Sequence, residues 1–211
     1  MTVNERIAID GREFLVVPDG PVCNDDYRAA GVRVVHILKE ATKSLGLGPA
    51  LLEYVRSNGT VKWRLWKVTA RRSYALQNGL PEWPALPEEA FGAALRASAI
   101  LNLNDTIPPG EEKRFRSEDD EVLKMAKARW PARRQVLEAL EPSVVVCGGT
   151  FGLMRSLLAE SGETCRECDG YFVWKGIPFV YAYHPSFNSK SHSVEYEEFR
   201  ERCRRIIAKG A

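Results

Sequence analysis

Four short apolar runs separated by long helical stretches set the strongest limit on how this chain folds. They are Val32-Arg-Val-Val-His-Ile-Leu38, Ala97-Ser-Ala-Ile-Leu101, Val144-Val-Val-Cys147 and Ile177-Pro-Phe-Val-Tyr-Ala182. Runs this short and this apolar suit strands buried on both faces, and strands alternating with helices suit a parallel sheet. The expectation is an α/β chain, a three-layer α/β/α sandwich around a central four-stranded parallel sheet. Ligand crevices in such sheets open beyond the carboxyl ends of the strands. The polar clusters Lys39-Glu40, Asn102 to Asp105 and His184-Pro-Ser186 follow three of the four runs, so one sheet edge is expected to gather them.

Helical spacing fills the intervals. A helix opens on Pro49 and runs to Val55, and others span Ala90 to Arg96, Glu118 to Leu140 with a bend expected at Pro131, Thr150 to Leu158, and Val194 to Ala208. Between Lys62 and Tyr74, Trp63, Trp66, Ala70 and Tyr74 recur at helical spacing, with Lys62, Lys67, Arg71 and Arg72 elsewhere on the wheel. That pattern reads either as an amphipathic helix with a solvated basic face or as a phosphate-contacting surface with aromatic groups beside it. The first 31 residues are a lead-in, with a hairpin turning at Asp10-Gly11 and then the turn-rich Pro18-Asp-Gly-Pro21, and Tyr171 to Trp174 is a hairpin arm.

The 211 residues fit one domain spanning the whole chain, and 45% apolar with 27% charged residues is a globular composition. A net charge of +2 neither demands nor excludes nucleic acid. No apolar run approaches the roughly 18 residues that span a bilayer, and residues 1–14 carry no signal-peptide core, so a cytoplasmic protein without a membrane partner is expected. Five scattered cysteines argue against a disulfide framework, and Cys165-Arg-Glu-Cys168 is a single pair where zinc needs four ligands. His36 reads as a core residue. Gly148-Gly149 reads either as an anion-binding helix entry or as a packing device.

In order and spacing these segments resemble the uracil-DNA glycosylase superfamily, most closely the bacterial branch that carries an iron-sulfur cluster. The matching stretches are Leu38-Lys-Glu-Ala-Thr-Lys43, Ile100-Leu-Asn-Leu-Asn-Asp-Thr-Ile-Pro-Pro-Gly110 with Arg114 beyond it, Val146-Cys-Gly-Gly-Thr-Phe151 and His184-Pro-Ser186. They cover about residues 32 to 208. The cluster-holding cysteines of that branch have no counterparts here, Thr106 standing at one of their positions, and such a cluster needs four thiolates. No cofactor and no metal is expected. The first motif also has Lys39 for its glycine, Thr42 for its proline, and Ala41 where related branches place a water-activating Asp or Asn.

The resemblance implies a monomeric, metal-independent hydrolase that removes uracil or a related deaminated base from DNA, as in base excision repair. Such an enzyme flips a base out, reads its edge and stabilises the leaving anion. Under it His184 donates a hydrogen bond to the base oxygen that gains charge, and Glu40 orients water or supports the sugar cation. Asn102 and Ala41 line the base pocket, Asp105 is the reserve carboxylate, and Lys39, Ser186 and the wedge residue Phe187 contact DNA. Ser186 serves either a phosphate or the positioning of His184; Trp63 or Trp66 is a candidate to stack on the base, although the family's usual aromatic segment does not align there. Two alternatives are a non-catalytic relative that binds DNA or a base, and an α/β enzyme acting on free nucleosides or nucleotides with Gly148-Gly149 as its phosphate turn.

Overall fold

A computed structural model of the chain describes residues 5–40, 47–58, 61–109, 118–186 and 190–208. The protein is α/β, but its main sheet has seven strands rather than four and is mixed. The four expected runs become β4 (Val34–Glu40), β5 (Ser98–Asn104), β7 (Val144–Gly148) and β10 (Ile177–Ala182). The pairs β4 with β5, β4 with β7 and β7 with β10 are parallel. Antiparallel neighbours extend both sides: β3 (Gly20–Pro21) on β5, and β9 (Tyr171–Trp174) on β10 followed by β8 (Arg166–Cys168). The strand order is therefore β3-β5-β4-β7-β10-β9-β8. These additional strands are two to four residues long; β9 is the expected hairpin arm, while β3 and β8 are too short to leave an alternating pattern of their own.

Alternation along β4 shows how helices cover both faces. Val35 and Ile37 pack with Tyr27 of α1 (Asn24–Ala29), with Val122, Ala126, Trp130 and Leu137 of α5 (Asp119–Leu140), and with Met154 and Leu157 of α6 (Phe151–Glu160). On the other face, Val34 packs with α3 (Arg64–Gln77) and α7 (His192–Ala208). Leu38 shares that side with α2 (Leu47–Asn58), α3 and α4 (Phe91–Arg96). The carboxyl edge of β4 thus lies between two helical layers.

Two local expectations need correction, and a third element forms as expected. Asn102 to Asn104 lie inside β5 rather than after it: Asp19 accepts the N–H and the Nδ2–H of Asn102, and Thr106 donates to the Oδ1 of Asn104, so part of each amide is met within the fold and the strand continues. The long helix expected from Glu118 to Leu140 is α5, continuous from Asp119 to Leu140 with Pro131 inside it. Arg71 and Arg72 are not on a solvated face: only 5% and 3% of each is exposed, since α3 is packed against the sheet, α4 and α7 together. The hairpin is formed by β1 (Arg6–Ile9) and β2 (Arg12–Val16), and joins β6 (Thr106–Ile107) in a separate three-stranded sheet.

Candidate functional site

Within the parallel strands, the chain leaves β4 toward β5 on one side and returns to build β7 and β10 on the other. The switch point lies between β4 and β7, and sheets of this kind take ligands beyond the carboxyl ends of their strands at such a point. Two glycines close that point. Thr150 donates its hydroxyl to the Ile37 carbonyl at 2.8 Å, joining the β7 turn to β4. A Cβ on Gly148 would stand 3.1 Å from the Leu38 side chain and 3.3 Å from Pro185. A Cβ on Gly149, where φ is +76°, would stand 2.9 Å from the Cβ of His184. The glycine pair is thus what allows His184 to lie against the turn. The Gly149 N–H is given to the Ala182 carbonyl at 2.8 Å, so it is not held out for an anion.

His184 is half-buried just beyond β10. The Ser186 N–H donates to its Nδ1 at 3.2 Å, and Arg72 donates to the neighbouring Tyr183 carbonyl at 2.8 Å. Burial lowers the pKa of the imidazole below its ordinary value, and the cations Arg72 and Lys39 lower it further. The ring is therefore neutral at pH 7, and with Nδ1 accepting, its proton sits on Nε2 as a donor. No group among the described residues takes that Nε2–H. Arg72 is itself fixed by a buried ion pair with Glu195 of α7. Ser186 thus serves His184 through its backbone, and the residue is otherwise exposed.

Across the switch point, Glu40 ends β4 directly opposite Asn104 of β5, and Leu38 stands opposite Asn102. Glu40 and Lys39 are half-buried, and the Lys39 ammonium lies 2.9 Å from Asp119 at the start of α5. Asn102 is buried and doubly held by Asp19, which accepts its backbone N–H at 2.6 Å and its Nδ2–H at 3.0 Å. The same Asp19 accepts from Arg133 at 2.9 Å, and Arg133 also donates to the Asn102 carbonyl at 2.7 Å. Burial raises the pKa of Asp19 to about 6 against the pull of Arg133. Because Nδ2 faces Asp19, Oδ1 of Asn102 is turned the other way, and it is buried without a hydrogen-bond donor. Asn104 is its complement: Oδ1 accepts from the Thr106 N–H and hydroxyl, while Nδ2 is buried without an acceptor. Residues two apart on a strand share a face. The end of β5 therefore carries one unmatched acceptor and one unmatched donor on the same face.

Asp105 is engaged elsewhere, its carboxylate held by Arg129 at 3.2 Å and by Arg133 at 3.4 Å. Ala41 and Phe187, and also Arg114, lie outside the described residues. Trp66 is in the core, while Trp63 is 60% exposed and stacks on Tyr54 with ring centres 4.9 Å apart. Among the described residues no three His, Cys, Asp or Glu side chains are grouped to hold a metal, and no helix is long and apolar enough to cross a membrane. All five cysteines are free, and burial raises the thiol pKa of Cys147, Cys203 and Cys165.

Sequence reasoning reached His184, Glu40 and Asn102 through the strand-end pattern. It missed Asp19, which holds Asn102, and Arg72, which donates to the carbonyl of Tyr183 beside His184. Asp19 carries a turn signal and Arg72 a helical one, and neither signal reports a contact made across the sheet. No protein-family model and no curated protein matches the chain.

Proposed function

We propose that this chain is a DNA glycosylase that hydrolyses the N-glycosidic bond of uracil or a related deaminated base. The observation that carries the reading is the neutral His184, oriented so that Nε2–H is a free donor at the carboxyl edge of the sheet. Cleavage of the N-glycosidic bond leaves negative charge on the departing base, and a fixed donor at its oxygen lowers that barrier. In the proposed reaction the base–C1′ bond breaks with its electron pair leaving on the base, a water oxygen bonds to C1′, and Glu40 orients that water and receives its proton. The unmatched acceptor of Asn102 and donor of Asn104 suit an imide edge, which alternates C=O and N–H.

A second reading, a relative that binds the base without cutting, is favoured by two ion pairs. Asp105 is anchored by two arginines, so the work of activating water falls to Glu40. Base release from labelled oligonucleotides carrying uracil, hypoxanthine or xanthine, single-stranded and paired, decides between them. Release that falls about 100-fold to 1,000-fold in His184→Ala and in Glu40→Gln, with the fold intact, supports the glycosylase. Absence of release together with DNA binding that weakens steeply with salt supports the non-catalytic relative. Neither release nor DNA binding would sink both.

A further inference from the structure

Between them, α3 and α7 carry a group of cations that the proposed reaction does not use. Arg64, Lys67 and Arg71 follow one another at i, i+3 and i+7 along α3, so they form a single stripe. Lys67 is paired with Glu88 at 2.7 Å. Arg71 has neither an ion pair nor a hydrogen bond among the described residues, although 95% of it is buried. Its guanidinium lies over the Trp83 ring at 4.6 Å and near Phe91 at 6.0 Å. The aromatic faces hold the planar group and leave its edge for hydrogen bonds. A buried cation without a hydrogen-bonded anion is expensive, and chains rarely keep one without a partner.

His192, the first residue of α7, adds a second unmatched donor. Its Nε2 lies 2.9 Å from the Nη1 of Arg64. A guanidinium can only donate, so Nε2 accepts and the ring proton sits on Nδ1, which has no acceptor. Burial and the nearby Arg64 and Arg71 keep this ring neutral. Glu195 and Glu88 are the carboxylates close enough to act on Arg71, and both are already paired, with Arg72 and Lys67.

We propose that the Arg64, Lys67 and Arg71 stripe, closed by His192, is a phosphate-binding site. The unmatched groups, Nε of Arg71 and Nδ1 of His192, are both donors, they come from two helices, and Arg71 carries its positive charge without an ion pair among the described residues, which suits a tetrahedral anion with several acceptor oxygens. Trp63, exposed beside Arg64 and stacked on Tyr54, offers a flat surface for a base next to that phosphate. The phosphate is that of a nucleic-acid strand or of a free nucleotide, and the two sources are separable.

The test is calorimetric titration at constant ionic strength of the whole chain and of Arg71→Met with inorganic phosphate, dUMP and a single-stranded uracil oligonucleotide. No arm measures base release, so failure of the glycosylase reading leaves this test intact. Expected are phosphate binding by the native chain, affinity about 10-fold to 100-fold weaker in Arg71→Met, and a melting temperature in that variant equal to or above native. Should Arg71→Met fail to fold, His192→Asn carries the same comparison. Competition between phosphate and the oligonucleotide assigns the site to a strand. Binding of phosphate and dUMP without such competition assigns it to a free nucleotide. A native chain that binds none of the three, or a folded variant that binds them as the native chain does, overturns the proposal.

Discussion

His184 owes its chemistry to its neighbours more than to its own position. The Ser186 N–H fixes its tautomer, and Arg72 and Lys39 together with burial keep it neutral. If a neutral ring is what acts, base release should hold steady as pH falls from 7 and decline only below the ordinary histidine value of about 6.5. Lys39→Met removes one of the depressing cations, so the acid limb of kcat should move toward higher pH. An unmoved limb would mean that another group sets it. Asp19 has a comparable hold on Asn102. Asp19→Ala leaves the largely buried Arg133 without its closest carboxylate contact and should cost about 3–5 kcal/mol in denaturant unfolding.

Strands and helices were more legible than their partners. The β-branched runs of β4, β7 and β10 declared themselves because burial on both faces leaves an uninterrupted apolar sequence. From sequence β5 reads too short, since buried asparagines look like loop residues until Asp19 is seen to hold the Nδ2–H of Asn102 and Thr106 the Oδ1 of Asn104. The burial of Arg71 was illegible for a similar reason: helical spacing shows which residues share a face, and α3 has packed neighbours on several faces. The β7–α6 turn offers a direct comparison of two glycines. Gly149→Ala combines a left-handed backbone with a 2.9 Å approach to His184, and should lose about 1–3 kcal/mol of stability and displace the imidazole. Gly152→Ala, inside α6 with nothing within 4 Å of the added Cβ, should be neutral or stabilising by up to about 1 kcal/mol. Urea unfolding of the two variants checks both.

For the molecule as a whole, two buried groups act oppositely on acid stability. His36 is fully buried against Ser73, and burial pushes its pKa down to about 3. The unfolded chain then binds a proton that the folded one refuses, so stability present above about pH 6.5 is lost as pH falls toward 3. Asp19, raised to about 6, does the reverse: below the ordinary carboxylate pKa of about 3.8 its contribution is complete, and it is lost as pH rises through 6. Between about pH 4 and 6 each term changes by up to about 1.4 kcal/mol per pH unit, with opposite sign. Relative to the native chain, His36→Gln should gain stability on acidification through that window and Asp19→Asn should lose it. Parallel slopes for both variants and the native chain would refute this pairing.

The order of strands in the sheet also bears on how the chain is made. β4 stands between β5 and β7, and synthesis supplies its first neighbour long before its second, since Val34 must wait for Val144. Throughout that interval a nascent chain holds an apolar strand with one edge of N–H and C=O groups unmet, which is a template for pairing with other chains. A ribosome pausing between β5 and β7 would lengthen the exposure, so the long middle of this chain is where a holding chaperone has most to protect.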